Sequence, residues 1–301
     1  MLKKVTIFGV GLIGGSFALA LKQAGAVSMV TGVGRRAQTL QRALELGIID
    51  EASTDIASAV KDADLILIAT PVAQTAALLE AIMPHLQPGT VVTDAGSTKT
   101  DVVAAARAAL GDKIHQFVPG HPIAGREQNG PDAALADLYV GKKVVLTALP
   151  ENAATTVERV AKAWQQCGAV VHQLSAEEHD AVFAAVSHLP HLLAYALVND
   201  IASKPHAALL FQYAASGFRD FTRIAGSSPE MWRDISLANK TALLAELDSY
   251  TAQLAQLRTL LINEDGPAIE AVFGRAQKAR LDWIAAIEAA EQRQSFEQGG
   301  D

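Results

Sequence analysis

At 301 residues, half of them hydrophobic and 19% charged, the chain is long enough for two domains with sizeable cores and leaves little room for long disordered regions. A formal net charge of −7 argues against nucleic acid or an anionic membrane surface as a partner, because the average surface repels phosphate. The single cysteine, Cys167, excludes an intrachain disulfide framework and a thiolate metal cluster within the chain, and its helical surroundings read as core.

No secretory leader precedes the first apolar run, Val5 to Phe8, and no run is expected to approach the roughly 20 residues that cross a bilayer, so a cytoplasmic protein is expected. That run reads as a strand and leads into Gly9-Val10-Gly11-Leu12-Ile13-Gly14-Gly15-Ser16. A nucleotide pyrophosphate needs this arrangement. One glycine turns tightly, a second lets the backbone approach the phosphates, and Gly14 lets the following helix pack on the strand. The helix N-terminus favours the anion through its free N–H groups and dipole, so Gly9, Gly11, Leu12, Ile13 and Gly14 are the expected cofactor contacts.

A helix to Gly25, a strand Met29 to Val33, a helix ending at Gly47 and a strand Leu65 to Ala69 follow, the alternation of a doubly wound parallel sheet. Where an NAD site usually carries a carboxylate for the ribose hydroxyls, the chain reads Gly32-Val33-Gly34-Arg35-Arg36. Two guanidinium groups there suit a 2′-phosphate, which favours NADP over NAD. The alternative is that they solvate the loop or stack on adenine, with both cofactors used.

Next come a strand Val91 to Asp94, with Ser97 at its C-terminal end where open α/β sheets bind ligands, and an alanine-rich helix to Leu110. Strand-like runs at Gln116 to Val118, Val144 to Leu146 and Val170 to Leu174 flank a helix from Asn152 to Gln166, and the sheet is expected to end near Leu174. Between them, Pro119 to Gly125 reads as a loop carrying His121.

From Ser175 the pattern becomes almost pure helix, beginning with the capping-box signature Ser175-Ala176-Glu177-Glu178. The expected division is a dinucleotide-binding domain over 1–174, a helical domain over 175–292 and a flexible tail over 293–301. Ser187-His188-Leu189-Pro190-His191 places two histidines on one helical face; a zinc reading lacks a third ligand. After Ser228-Pro229 a helix presents Leu243, Leu247, Tyr250, Leu254, Leu257 and Leu261 as a seam, open to packing within the domain or against a second subunit.

Taken singly, each histidine reads as well as a hydrogen-bonded structural residue. Together, Gly9 to Ser16, Asp94 to Lys99, Gly120 to Gly125, Ser187 to His191, Gly217 to Ala225 and Met231-Trp232 resemble the prephenate dehydrogenase family over nearly the whole chain. The resemblance implies a Rossmann-like domain followed by an all-helical dimerisation domain, a homodimer, and oxidative decarboxylation of prephenate to 4-hydroxyphenylpyruvate in tyrosine biosynthesis, with arogenate used by some members. It implies His121 as the catalytic histidine that accepts the substrate hydroxyl's hydrogen bond and Ser97 as its companion. Arg223 would hold a substrate carboxylate, His188, His191 and Trp232 would line the pocket, and Thr70-Pro71 would flank the cofactor.

The chain departs from many relatives in carrying Arg126 where a small threonine is common, which bears on the choice between prephenate and arogenate. Neither a preceding chorismate mutase segment nor an appended regulatory domain is expected, leaving tyrosine inhibition to competition at the active site. The rival readings are a hydroxy-acid dehydrogenase or reductase, whose proton-transfer lysine would have to be Lys204 or Lys240, and a non-catalytic nucleotide sensor.

Overall fold

In the computed structural model, which describes residues 1–126 and 128–298, the apolar opening of the chain forms strand β1 (Leu2–Phe8), buried from Lys4 onward. Strands β2 (Val27–Val33), β3 (Glu51–Ser53), β4 (Leu65–Ile68), β5 (Val91–Asp94) and β6 (Phe117–Val118) join it in one parallel sheet of order β3-β2-β1-β4-β5-β6. The direction of winding reverses between β1 and β4, which leaves a crevice at their carboxyl ends. Helices α1 (Leu12–Gln23), α2 (Ala37–Glu45), α3 (Ile56–Val60), α4 (Thr75–Ile82) and α5 (Thr100–Leu110) form the connections. With helices on both faces, the inner strands read as continuous Val, Ile and Leu. The expected doubly wound sheet is present, with one strand more than the sequence showed: β3 is polar, and edge pairing of Thr31 with Glu51 places it.

The later strands depart from expectation. Gly120–Pro122 is not loop but strand β7, paired antiparallel with β8 (Lys143–Leu146), which pairs parallel with β9 (Val170–Gln173) in a separate three-stranded sheet. Pro122 lacks an N–H, and an edge strand tolerates it. Helix α6 (Ala154–Gln166) packs Trp164 on Phe17 of α1, ring centroids 4.5 Å apart. Beside Trp164, the Tyr139 hydroxyl donates to the Ile13 carbonyl at 2.6 Å, tying down the start of α1. Cys167 is buried in this core and burial pushes its thiol pKa up, as an inert residue requires.

Ser175 caps α7 (Ala176–Phe183) with the full capping box: its hydroxyl accepts from Glu178 N at 3.1 Å and its own N–H donates to the Glu178 carboxylate at 2.9 Å. A π-helical turn (Ala184–His188) joins α7 to α8 (Leu189–Ala202). Pro190 has no N–H for the Val186 carbonyl, and the widened turn accommodates the loss.

The continuous helix Ala176–Ala202, 27 residues, is long and apolar enough to cross a membrane by length and composition, which corrects the expectation that no such run exists. Its His179, Asp180 and His188 are nevertheless buried in bonds to His121, Lys99 and Asn239, contacts a bilayer would not provide.

Helices α9 (Ala207–Gln212), α10 (Ser216–Thr222), α11 (Pro229–Ala238), α12 (Lys240–Ile262) and α13 (Gly266–Gln298) complete the chain. The helix expected after Pro229 is thus two, separated at Asn239. The segment expected as a tail from residue 293 is helical as far as Gln298; residues 299–301 lie outside the described residues. By packing, residues 1–244 and the described residues from 245 onward form two compact units.

Candidate active site

The glycine turn, Thr70-Pro71 and Ser97 follow β1, β4 and β5 at their carboxyl ends. Gly9 has φ +94°, and a Cβ there would lie 2.5 Å from the Ala69 carbonyl oxygen and 3.1 Å from Thr70 Cγ2. A Cβ at Gly14 would lie 2.1 Å from the Gly9 carbonyl oxygen, so α1 is pressed onto the turn. Gly11 is different. A Cβ there would meet no heavy atom within 4 Å, so the protein's own packing does not demand glycine and the space is open to a ligand. Gly11 also caps α1 without a side-chain bond, leaving the first-turn N–H groups for an anion. Thr70 Oγ1 is buried without a partner. These residues fit a dinucleotide pyrophosphate. Arg35 and Arg36 stand exposed just beyond β2, and neither forms an ion pair among the described residues.

Asp94, at the end of β5, joins the two chemical segments. Its carboxylate accepts from Gly96 N at 2.8 Å, from Gly120 N at 3.0 Å and from Lys99 Nζ at 2.5 Å, with Lys99 fully buried. The Ser97 loop and the His121 strand are thereby held to one anchor. Asp180 of α7 bonds to the start of α5, accepting from Lys99 N at 2.8 Å, Thr100 N at 2.9 Å and the Thr100 hydroxyl. Burial works against the Asp180 carboxylate, but His179 and the Thr100 and Lys99 donors outweigh it and hold its pKa below the ordinary range.

Asp180 Oδ1 lies 2.8 Å from His179 Nδ1, and His179 Nε2 lies 2.8 Å from His121 Nδ1. The carboxylate only accepts, so His179 carries its proton on Nδ1 and, when neutral, presents a bare Nε2. His121 must then donate through Nδ1, which leaves its own Nε2 as an acceptor. Phe183 covers both rings, with centroids 4.9 Å from His121 and 4.5 Å from His179. Burial, followed by the neighbouring His179 and Lys99, pushes the His121 pKa well below its ordinary value, so the ring stays neutral near neutrality.

His188 is buried, and Asn239 Nδ2 donates to its Nδ1 at 3.1 Å and to the Asp180 carbonyl at 2.8 Å. Burial lowers the His188 pKa to about 4 against the opposing pull of Asp180. The Ser97 backbone faces this ring closely enough to favour its charged form, although Nε2 has no partner in hydrogen-bond geometry. His191 stacks on Trp232, centroids 3.5 Å apart, and Arg223 lies near enough to help lower its pKa after burial. Arg126 is exposed on the loop after β7, and Glu127 lies outside the described residues.

The structure therefore gathers Ser97, His121, His188, His191, Arg223 and Trp232 around the first turns of the helical segment. Reading the sequence missed His179, Asp180 and Asn239; the one available signal was an adjacent His-Asp pair just inside a capping box. Lys204 pairs with Asp200 at the surface and Lys240 is exposed, so neither sits where a proton-transfer lysine would act.

The family model for the prephenate dehydrogenase nucleotide-binding domain matches residues 17–173, and that for the prephenate dehydrogenase dimerization domain matches residues 175–275. The chain is 38% identical over 281 residues to a cyclohexadienyl dehydrogenase of Zymomonas mobilis, covering 93% of this chain and 95% of that protein. It is 37% identical over 278 residues to a prephenate dehydrogenase of Bacillus subtilis, covering 92% and 75%. A crystal structure of prephenate dehydrogenase from Aquifex aeolicus, in complex with hydroxyphenyl propionate and NAD+, superposes with a TM-score of 0.88 at 36% identity, covering 94% of this chain and 98% of the other. With the phosphate cradle and the histidine cluster in place beneath these matches, the chain belongs to the prephenate dehydrogenase family.

Proposed function

We propose that the protein oxidatively decarboxylates prephenate to 4-hydroxyphenylpyruvate in tyrosine biosynthesis, with arogenate as a second substrate. The observation that carries this reading is the hydrogen-bonded series from Asp180 through His179 to His121, which leaves His121 Nε2 able to accept a proton. Gly9, Gly11, Leu12, Ile13, Gly14, Thr70 and Pro71 would hold the dinucleotide, whose nicotinamide, when bound, supplies the hydride acceptor. His121 accepts the hydrogen bond of the substrate's 4-hydroxyl, and Ser97 holds that hydroxyl beside it. As the carbinol carbon loses hydride, the hydroxyl proton passes to His121. The ring carboxylate then leaves as CO2, and aromatisation drives the sequence forward.

Arg223 pairs with a substrate carboxylate, and His188, His191 and Trp232 line the pocket. Arg126 acts on the substrate side chain and favours the keto acid. Truncating a charged, hydrogen-bonding partner costs binding in ground and transition states alike. Arg223→Ala is expected to raise KM for prephenate roughly 10- to 100-fold with kcat within a few-fold, as steady-state kinetics would show.

The Aquifex aeolicus complex contains NAD+. Arg35 and Arg36 are the reason to favour NADP here, because each can fork onto a 2′-phosphate. Replacing both with alanine is expected to lower kcat/KM for NADP roughly 10- to 100-fold while changing that for NAD little. Crossing prephenate and arogenate with both cofactors, followed by the absorbance of the reduced nicotinamide, tests the whole reading. No reduction with either substrate would overturn it.

In this reading residues 1–174 form the cofactor half and 175–292 the substrate and dimerisation half of a cytoplasmic homodimer. The dimerization-domain match supports the dimer, as do Leu254 and Leu261 of α12, which are 48% and 66% exposed in the single chain. Elution as a monomer at micromolar concentration would remove it.

A further inference from the structure

Proton abstraction in a buried site leaves a positive charge that must be placed somewhere. His121 is poorly suited to keep it. The groups facing it are His179 from α7, Lys99 just before α5 and the titratable His188 at the end of the π-helical turn, and all of them disfavour a cation on its ring. Burial lowers the pKa of His179 too and Lys99 adds to that, but the carboxylates of Asp180 and Asp94 act against the lowering, as they do not at His121, and its Nδ1–H already points at Asp180. The two rings are joined directly, Nδ1 to Nε2 at 2.8 Å, and Phe183 covers both.

We infer that His121 and His179 form a two-ring proton relay, in which the proton taken from the substrate hydroxyl is held as a cation on His179 against Asp180 until the product needs it. This rests on the assignment of His121 under the proposed function. In the step, the hydroxyl proton moves to His121 Nε2 while the His121 Nδ1 proton moves to His179 Nε2. His121 stays neutral with its tautomer exchanged, and His179 becomes an imidazolium still bonded to Asp180. The oxygen's electron pair becomes the carbonyl as hydride departs from the carbon to the bound nicotinamide. When the ring carboxylate leaves as CO2, the bonding electrons enter the ring and produce a phenolate. The relay then runs backward: His121 Nε2 returns its proton to the phenolate oxygen, and His179 Nε2 gives one back to His121 Nδ1. No net proton is gained or lost by the protein. His179 and Asp180 are thus positioning residues that act through His121.

The test uses the whole enzyme. Nitrogen-15 NMR of histidine-labelled protein as purified reads tautomers and the site of first protonation without substrate or cofactor. The expected result is Nδ1–H on both rings, with the first proton added on acidification landing on His179; a first proton on His121 would overturn the relay. His179→Gln is the matching variant, because its side-chain oxygen can still accept from His121 Nδ1–H but cannot hold a proton. For this variant kcat is expected to fall roughly 10- to 100-fold with KM for prephenate little changed. The acid limb of kcat/KM should move to lower pH, since the remaining site is the more desolvated ring. The thermal transition of this variant is expected to stay unchanged while its kcat falls.

A His179→Gln enzyme with unaltered kcat and acid limb, alongside a His121→Asn enzyme that is inactive, would overturn the relay and leave the functional reading intact. Lack of prephenate turnover by the unaltered enzyme would instead remove the reading beneath it.

Discussion

Replacing His121 with asparagine is expected to lower kcat for prephenate by roughly two to four orders of magnitude while KM stays within a few-fold, the range a positioned general base contributes. Asparagine is short enough to avoid a clash on β7 and can donate to His179, so the local structure should survive. What disappears is the bare Nε2, and with it the acceptor for the hydroxyl proton. Because burial lowers the pKa of His179 and pushes that of His121 well below its ordinary value, the unaltered enzyme should remain active through neutral pH and fail only under acid. The sign follows from the direction of the shift: a depressed histidine pKa keeps the ring in its accepting form at lower pH. A variant with wild-type kcat would show that His121 merely fills space between Phe183 and His179.

Asp94→Ala is expected to destabilise the protein by about 3–5 kcal/mol, read from chemical denaturation, because it strands the buried Lys99 ammonium. It also leaves the Gly96 and Gly120 N–H groups without their acceptor. The charge is the larger effect, since an unpaired buried cation costs more than an unpaired amide. Adding Lys99→Met should therefore recover part of the loss, and the two substitutions should be far from additive. Activity should fall with the single change even below the unfolding transition, because Asp94 holds the Ser97 loop and the His121 strand to a common point. Equal and additive losses for the two single variants would indicate that the pair is not coupled.

The first half of the fold was legible because its signals are local. An apolar run, a glycine turn and an amphipathic helix repeat in order, and glycine at position 9 answers a positive φ that its own backbone demands. The capping box at Ser175 was legible for the same reason, being completed by residues three apart. Three features were not. Strand β3 is polar and exists through pairing with β2; Gly120–Pro122 is a strand because β8 lies beside it; and the break at Asn239 follows from bonds that its amide makes to Asp180 and His188. Each depends on a partner far away in the chain, so no window of sequence contains its cause.

The same division runs through the chemistry. Residue types and spacing were enough to single out the phosphate cradle, Ser97, His121, His188 and His191, because each lies in a segment with its own pattern, whereas Arg223 and Trp232 stood out only through the resemblance to a known family. Sequence by itself also determined the doubly wound sheet and the change to helix after Leu174, since hydrophobic periodicity is written residue by residue. Only the tertiary structure decided that His179 touches His121, 58 residues away, and that Asp180 joins it to the start of α5. A histidine's proton location depends on which nitrogen meets which partner, and that geometry exists only once distant segments are packed together.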